Sequence, residues 1–133
     1  MKDDIDNEDY RTLAAFRYEL RRFLHFSEAA AGEAGLTVQQ HQAMLAIRAA
    51  GQEGMRVGEV ADRLLLKPHS ATGLIDRLER LGLVERMPAA KDKRQVRIML
   101  RPEGEALLKS LSAAHREELR RIRPLLVNLI ESL

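Results

Sequence analysis

Between Val57 and Leu100 the apolar spacing changes period within about 45 residues, and few folds tolerate the order in which it does so. Val57, Val60, Ala61 and Leu64 recur at i, i+3, i+4 and i+7, which predicts a short amphipathic helix. Pro68 suits the first turn of the next helix, where a missing N–H is harmless. Ala71, Leu74, Ile75, Leu78 and Leu81 give that helix one apolar face, and Gly82 supplies a left-handed stop. Leu83–Met87 and Gln95–Arg101 then alternate as two strands, with Pro88–Arg94 looping between them.

Two short helices followed by a hairpin with a basic tip look like a winged helix-turn-helix. That module sets one helix in the DNA major groove and a basic loop beside it. The outer side of the second helix carries Pro68, His69, Ser70, Thr72, Gly73, Asp76 and Arg77. Short polar residues and a glycine allow close approach to base edges, and an arginine there can pair bidentately with guanine. The loop carries Lys91, Asp92, Lys93 and Arg94, with Arg86 and Arg97 on the flanking strands. Arg94 suits a narrow A·T-rich minor groove, and Asp92 two residues earlier can hold it by a charge-assisted hydrogen bond. Lys67 stands where a helix cap such as Ser or Asp is usual, as do Arg56 and Arg101. A cation there opposes the helix dipole but helps gather a phosphate.

Charge supports this placement. The net charge is only +2, yet residues 55–101 hold 11 Lys/Arg against 6 Asp/Glu, whereas residues 1–54 hold 6 against 9. A polyanion responds to a local patch rather than to an average. With no cysteine, thiolate zinc sites and disulfides are excluded. No apolar run nears the roughly 18 residues of a membrane span, and the acidic start Met1-Lys2-Asp3-Asp4 does not suit a signal peptide. The expectation is a cytoplasmic protein with no membrane partner.

Outside the reader, residues 9–31 carry Leu13, Phe16, Leu20, Phe23 and Leu24 at helical spacing, after an acidic lead from Asp3 to Asp9. Thr37 and Gln40 form a capping-box pair at the start of a second helix, with Val38, Leu45 and Ala49 on one face. After Pro102 a long helix carries Ala106, Leu107, Leu111, Ala114, His115, Leu119 and Ile122. Pro124 is expected to kink or restart it, giving a last helix through Leu133. These terminal helices hold more apolar surface than a small reader can cover, which predicts a two-fold assembly of two copies.

The chain resembles the MarR family of bacterial transcriptional regulators over nearly its full length. The resemblance rests on Leu36-Thr37 with Gln40 and Leu45, on Val57 to Leu64, and on Leu74-Ile75-Asp76-Arg77-Leu78-Glu79 with Leu81 to Arg86. It continues through the wing Asp92-Lys93-Arg94 and Leu100 with Pro102-Glu103-Gly104. It implies a mainly α fold: one domain over residues 1–133, with dimerisation helices at 9–36 and 102–133 and the winged helix-turn-helix at 37–101. It also implies a homodimer on a palindromic promoter operator, most simply as a repressor, released by a small aromatic or carboxylate effector.

Arg17 lies within the apolar seam of the first helix, where a charge needs a partner or water. With Arg21 one turn later and His41, it is a candidate effector contact, although an intersubunit salt bridge or snorkelling explains its place equally. The histidines His25, His41, His69 and His115 fall on four elements without metal-ligand spacing, so no metal and no cofactor is assigned. Nothing resembles a nucleophile–base pair or a phosphate loop, so an enzyme is not expected. The competing reading is a winged module whose basic face binds an acidic protein.

Overall fold

The computed structural model describes residues 4–133; the acidic lead is therefore seen from Asp4 onward. Asp6 caps the first helix, α1 (Asn7–Glu33), in a full capping box: its carboxylate accepts the Asp9 N–H at 2.9 Å, and Asp9 accepts the Asp6 N–H at 3.1 Å. Most of the expected frayed lead is thus the start of a helix. Thr37 and Gln40 cap α2 (Val38–Ala49) in the same reciprocal way, as their spacing predicts. A short 3-10 turn (Gly51–Glu53) leads to α3 (Val57–Leu64), then α4 (Pro68–Arg80).

Strands β1 (Val84–Pro88) and β2 (Val96–Leu100) pair antiparallel with Val84 opposite Leu100 and Pro88 opposite Val96. Met55 adds an isolated bridge to Ile98, so the wing is stitched to the segment before α3. The chain closes with α5 (Pro102–Glu131). This is a mainly α winged helix with a two-stranded sheet.

The core lies where α2, α3, α4, the hairpin and the start of α5 meet. Met44, Ile47, Val60, Ile75, Leu78 and Ile98 are its large, fully buried side chains. The apolar faces predicted for α3 and α4 are the buried ones: Val60 and Ala61, then Ala71, Leu74, Ile75 and Leu78. Leu81, the last residue assigned to that face, is instead exposed beyond the helix end.

Three expectations are corrected. Pro124 does not restart a helix, and the expected last helix is continuous with the one before it: α5 runs for 30 residues. The carbonyl four residues before it loses its donor, but both Arg120 and Pro124 lie on the exposed side, where water can serve that oxygen. In α2, Ala43, Met44 and Ile47 face the core, while Leu45 and Ala49 are exposed. In α1 the apolar residues divide: Phe16 and Phe23 turn partly inward, whereas Leu13, Leu20 and Leu24 form an exposed stripe. Leu119, Leu125, Val127 and Ile130 are exposed likewise on α5.

Candidate nucleic-acid interface and adjoining cavity

Helix α4 begins at Lys67, an extended N-cap residue whose side chain supplies no capping bond, followed by Pro68 at the first position. Arg56 and Arg101 occupy the matching positions of α3 and α5, again without a side-chain cap. At α3 the need is met from the other side, because Glu59 accepts the Arg56 N–H at 3.0 Å. Arg101 lies 3.7 Å from Glu103. Lys67 has no such partner among the described residues, and its ammonium stands free beside the open amides of α4.

Lys67, Pro68, His69, Thr72 and Arg77 are exposed, and Ser70 and Gly73 are half-buried. The sequence-predicted reading face is therefore on the outside of α4. One detail changes its chemistry: Thr72 Oγ1 donates to the Pro68 carbonyl at 3.1 Å. That hydroxyl proton is spent inside the helix, leaving the oxygen's lone pair and the methyl group for a base edge.

Arg86, expected among the DNA-facing cations, is tied into the fold. Its guanidinium donates to Asp76 at 2.6 Å and to Glu79 at 2.5 Å, joining β1 to α4. These carboxylates hold its proton affinity above the ordinary arginine value, the Asp76 hydrogen bond contributing most. It is a brace between recognition helix and wing, and Asp76 is withdrawn from the reading face with it. Arg97 is tied similarly, donating to Glu59 at 3.1 Å. Glu59 is held below the usual carboxylate range by hydrogen bonds from the Arg56 backbone and side chain.

At the wing tip, Asp92 accepts from the Arg94 backbone N–H at 3.1 Å and from its Nε at 3.2 Å. The Arg94 side chain is nevertheless 92% exposed, with Lys91 and Lys93 exposed beside it. The pairing expected from their spacing thus fixes the turn without burying the cation.

A cavity of about 990 Å³ lies between α1, α2, α3 and α5. His41 is on its wall, and neither Arg17 nor Arg21 is. Both arginines are exposed on the outer side of α1, Arg17 in the stripe of Leu13, Leu20 and Leu24, so its charge meets solvent in this chain rather than a pocket.

His41 and His115, 74 positions apart, meet with ring centroids 4.7 Å apart and planes tilted by 46°. His115 lies 2.7 Å from the Leu111 carbonyl through Nδ1 and 2.8 Å from the Ser27 hydroxyl through Nε2, with the Phe23 and Phe26 rings edge-on. His41 is 97% buried, and its Nδ1 has no hydrogen-bond partner. Burial, and secondarily the neighbouring His115, push its proton affinity below the ordinary histidine value. No group of three or more potential metal ligands occurs among the described residues.

Reasoning from sequence missed the cavity's cations: Arg63 from α3 and Arg116, Arg120 and Arg123 from α5. The i, i+4, i+7 spacing of the last three was the available signal.

The profile of the MarR family matches residues 34–95, the reading region from α2 to the wing. The transcriptional activatory protein BadR of Rhodopseudomonas palustris is 36% identical over 89 residues, covering 65% of this chain and 51% of that protein. The chain spans about half the length of the curated relatives it matches. Among solved structures, CouR from Rhodococcus jostii bound to p-coumaroyl-CoA superposes with a TM-score of 0.71 at 26% identity, covering 80% of this chain and 74% of that one. The S. aureus MepR–DNA complex gives 0.69 at 21% identity over 82% and 78% of the two chains. The second likeness concerns fold alone.

Proposed function

This chain belongs to the MarR family, and on that footing we propose that it is a DNA-binding transcriptional regulator acting as a homodimer in the cytoplasm. It represses where its palindromic operator overlaps a promoter, and it carries no catalytic role. Each subunit lays Pro68 to Arg77 in the major groove of a half-site, with half-site centres about one helical turn, or 34–36 Å, apart. Lys67, Lys91, Lys93 and Arg94 contact the flanking backbone and minor groove.

One observation carries this reading. At this end Lys67, Arg77, Arg80, Lys91 and Lys93 are exposed without a carboxylate among the described residues, while Arg86 and Arg97 are consumed internally. Arg94, though tied to Asp92, still projects into solvent. Exposed Leu13 and Leu20 on α1 and Leu125 on α5 supply surface a second copy would bury, while Leu24, Val127 and Ile130, also exposed, border the cavity. No helix among the described residues is long and apolar enough to cross a membrane and claim them instead.

Effector binding belongs to the cavity, since it joins α1 and α5 to α3 of the reader. An aromatic or carboxylate ligand that fits one separation of the two readers better than another lowers DNA affinity through that difference. CouR holding p-coumaroyl-CoA supports such an occupant.

The test is operator selection from genomic fragments, then fluorescence anisotropy against salt for the wild type and Arg94→Ala. The wild type should lose affinity linearly in log salt, and Arg94→Ala should weaken specific binding by about tenfold or more while sedimentation still reports a dimer. Selection of no sequence, or equal affinity in the variant, would overturn the reading.

A further inference from the structure

The four cations around the cavity differ from the arginines elsewhere that are held in ion pairs. Arg48, Arg86, Arg97 and Arg121 each hold a carboxylate. Arg63, Arg116, Arg120 and Arg123 make no hydrogen bond or ion pair among the described residues, and neither Asp nor Glu lines the cavity. Arg116, Arg120 and Arg123 follow one another along a single face of α5, spanning about 10 Å of helix axis, with Arg63 contributed by α3. All four are exposed at the rim of one recess, where their like charges repel and no carboxylate of the described residues offsets them.

A lone carboxylate would answer only one or two of these groups. A diphosphate or triphosphate head presents several anionic oxygens over a comparable span, and the guanidinium fork matches phosphate geometry. The remaining wall is apolar, with Phe23, Leu45, Leu64, Leu119 and Leu126 among its members. Its one buried, unpartnered polar atom among the described residues is His41 Nδ1. The volume of about 990 Å³ far exceeds a single aromatic acid and sits at the upper end of ligand cavities.

We propose that the cavity takes an amphipathic polyanion, its apolar acyl or aryl tail lying against Phe23, Leu45 and Leu64 and its phosphate-bearing head gripped by Arg63, Arg116, Arg120 and Arg123. This rests on the effector reading of the cavity and adds the size and charge of the ligand. Phosphates of DNA and carboxylates of a partner subunit are the rival claims on the same arginines.

Calorimetry on the full-length dimer with p-coumaroyl-CoA, octanoyl-CoA, 4-coumarate and octanoate separates these. The thioesters should bind about 100-fold more tightly than the free acids, with an affinity that falls as salt rises. The double variant Arg120→Gln/Arg123→Gln should lose at least about 30-fold for the thioesters, while free-acid binding, operator affinity and dimer stability hold. Free acids binding as tightly as thioesters, or a variant with unchanged thioester affinity, would overturn the proposal. So would a loss confined to DNA affinity or dimerisation, which would award the arginines to a rival. If free acids bind and release DNA while thioesters do not, the polyanion fails and the effector reading stands; if none of the four binds, both fall.

Discussion

Replacing Gly104 by alanine should destabilise this protein, although an isolated helix would predict the reverse. Gly104 is the third residue of α5, where alanine is favoured over glycine by up to about 1 kcal/mol. A Cβ at this position would run into the Leu83 carbonyl oxygen, with the carbonyl carbon only 3.1 Å away. Carbon–oxygen contacts normally settle near 3.3 Å or beyond, so helix and strand entry must separate by about 1 Å. The obstacle is backbone, which has no rotamer to give. The same oxygen accepts the Arg101 N–H at 2.9 Å, a bond that locks the start of α5 to the start of the wing. Overpacking costs about 1–3 kcal/mol and a weakened hydrogen bond about 0.5–1.5. After subtracting a helix gain of about 1 kcal/mol, the loss is about 0.5–3.5 kcal/mol. Urea unfolding at one fixed protomer concentration reads it as a lower midpoint with an unchanged slope. Gly32→Ala in α1 is the control: nothing lies within 4 Å of its Cβ, so it should be neutral or stabilising by up to about 1 kcal/mol. A midpoint for Gly104→Ala equal to or above the wild type would refute the close-approach argument.

Arg86→Ala should leave Asp76 and Glu79 uncompensated beside the DNA. The expected result is at least about tenfold weaker operator binding with less than about 1 kcal/mol lost in urea unfolding; unchanged affinity would return Arg86 to a purely structural role. Lys67→Ser should stabilise α4 by about 0.5–1 kcal/mol through a restored cap and reduce the salt slope of DNA binding by about one unit per half-site, or about two for the dimer. An unchanged slope would show that Lys67 holds no phosphate. His41 has its folded proton affinity depressed by burial and by His115, so the unfolded chain binds the proton first as pH falls. Stability should be level above about pH 7.5 and decline below the unfolded value of 6.5, at no more than about 1.4 kcal/mol per pH unit. His41→Gln should flatten this decline, and an equal decline in the variant would assign it to other groups.

What the sequence could disclose depended on how many neighbours each helix has. For α3 and α4 a single period reports a single buried face, and the expected Val60, Ala61, Ala71, Leu74, Ile75 and Leu78 are the residues inside. Helix α1 carries apolar residues on two sides: Phe16 and Phe23 turn toward its own chain, Leu13, Leu20 and Leu24 away from it. One stripe in the sequence could not say which residues belong to which layer, and Arg17 looked buried because its neighbours were apolar. Pro124 misled for a different reason: proline removes one donor, and where the orphaned carbonyl faces water a long helix can absorb that loss.

The binding residues divide along the same line. Local chemistry was legible wherever both partners lie within a turn, as in Asp92 with Arg94 or Thr37 with Gln40. It was silent where the partner is distant: Arg86 reads as a free cation until Asp76, ten positions earlier, is seen to hold it. The same silence covered His41 against His115 and Arg63 against α5. Counting cations therefore overstates the charge this end offers a polyanion, because Arg86 and Arg97, both expected there, are already paired with carboxylates. The salt dependence of DNA binding should accordingly follow Lys67, Arg77, Arg80, Lys91, Lys93 and Arg94 rather than all 11 basic residues of the segment. At roughly 0.9 per phosphate contact in each half-site, a slope demanding more contacts than those six can make would mean that a braced arginine such as Arg86 or Arg97 lets go of its carboxylates when the operator arrives.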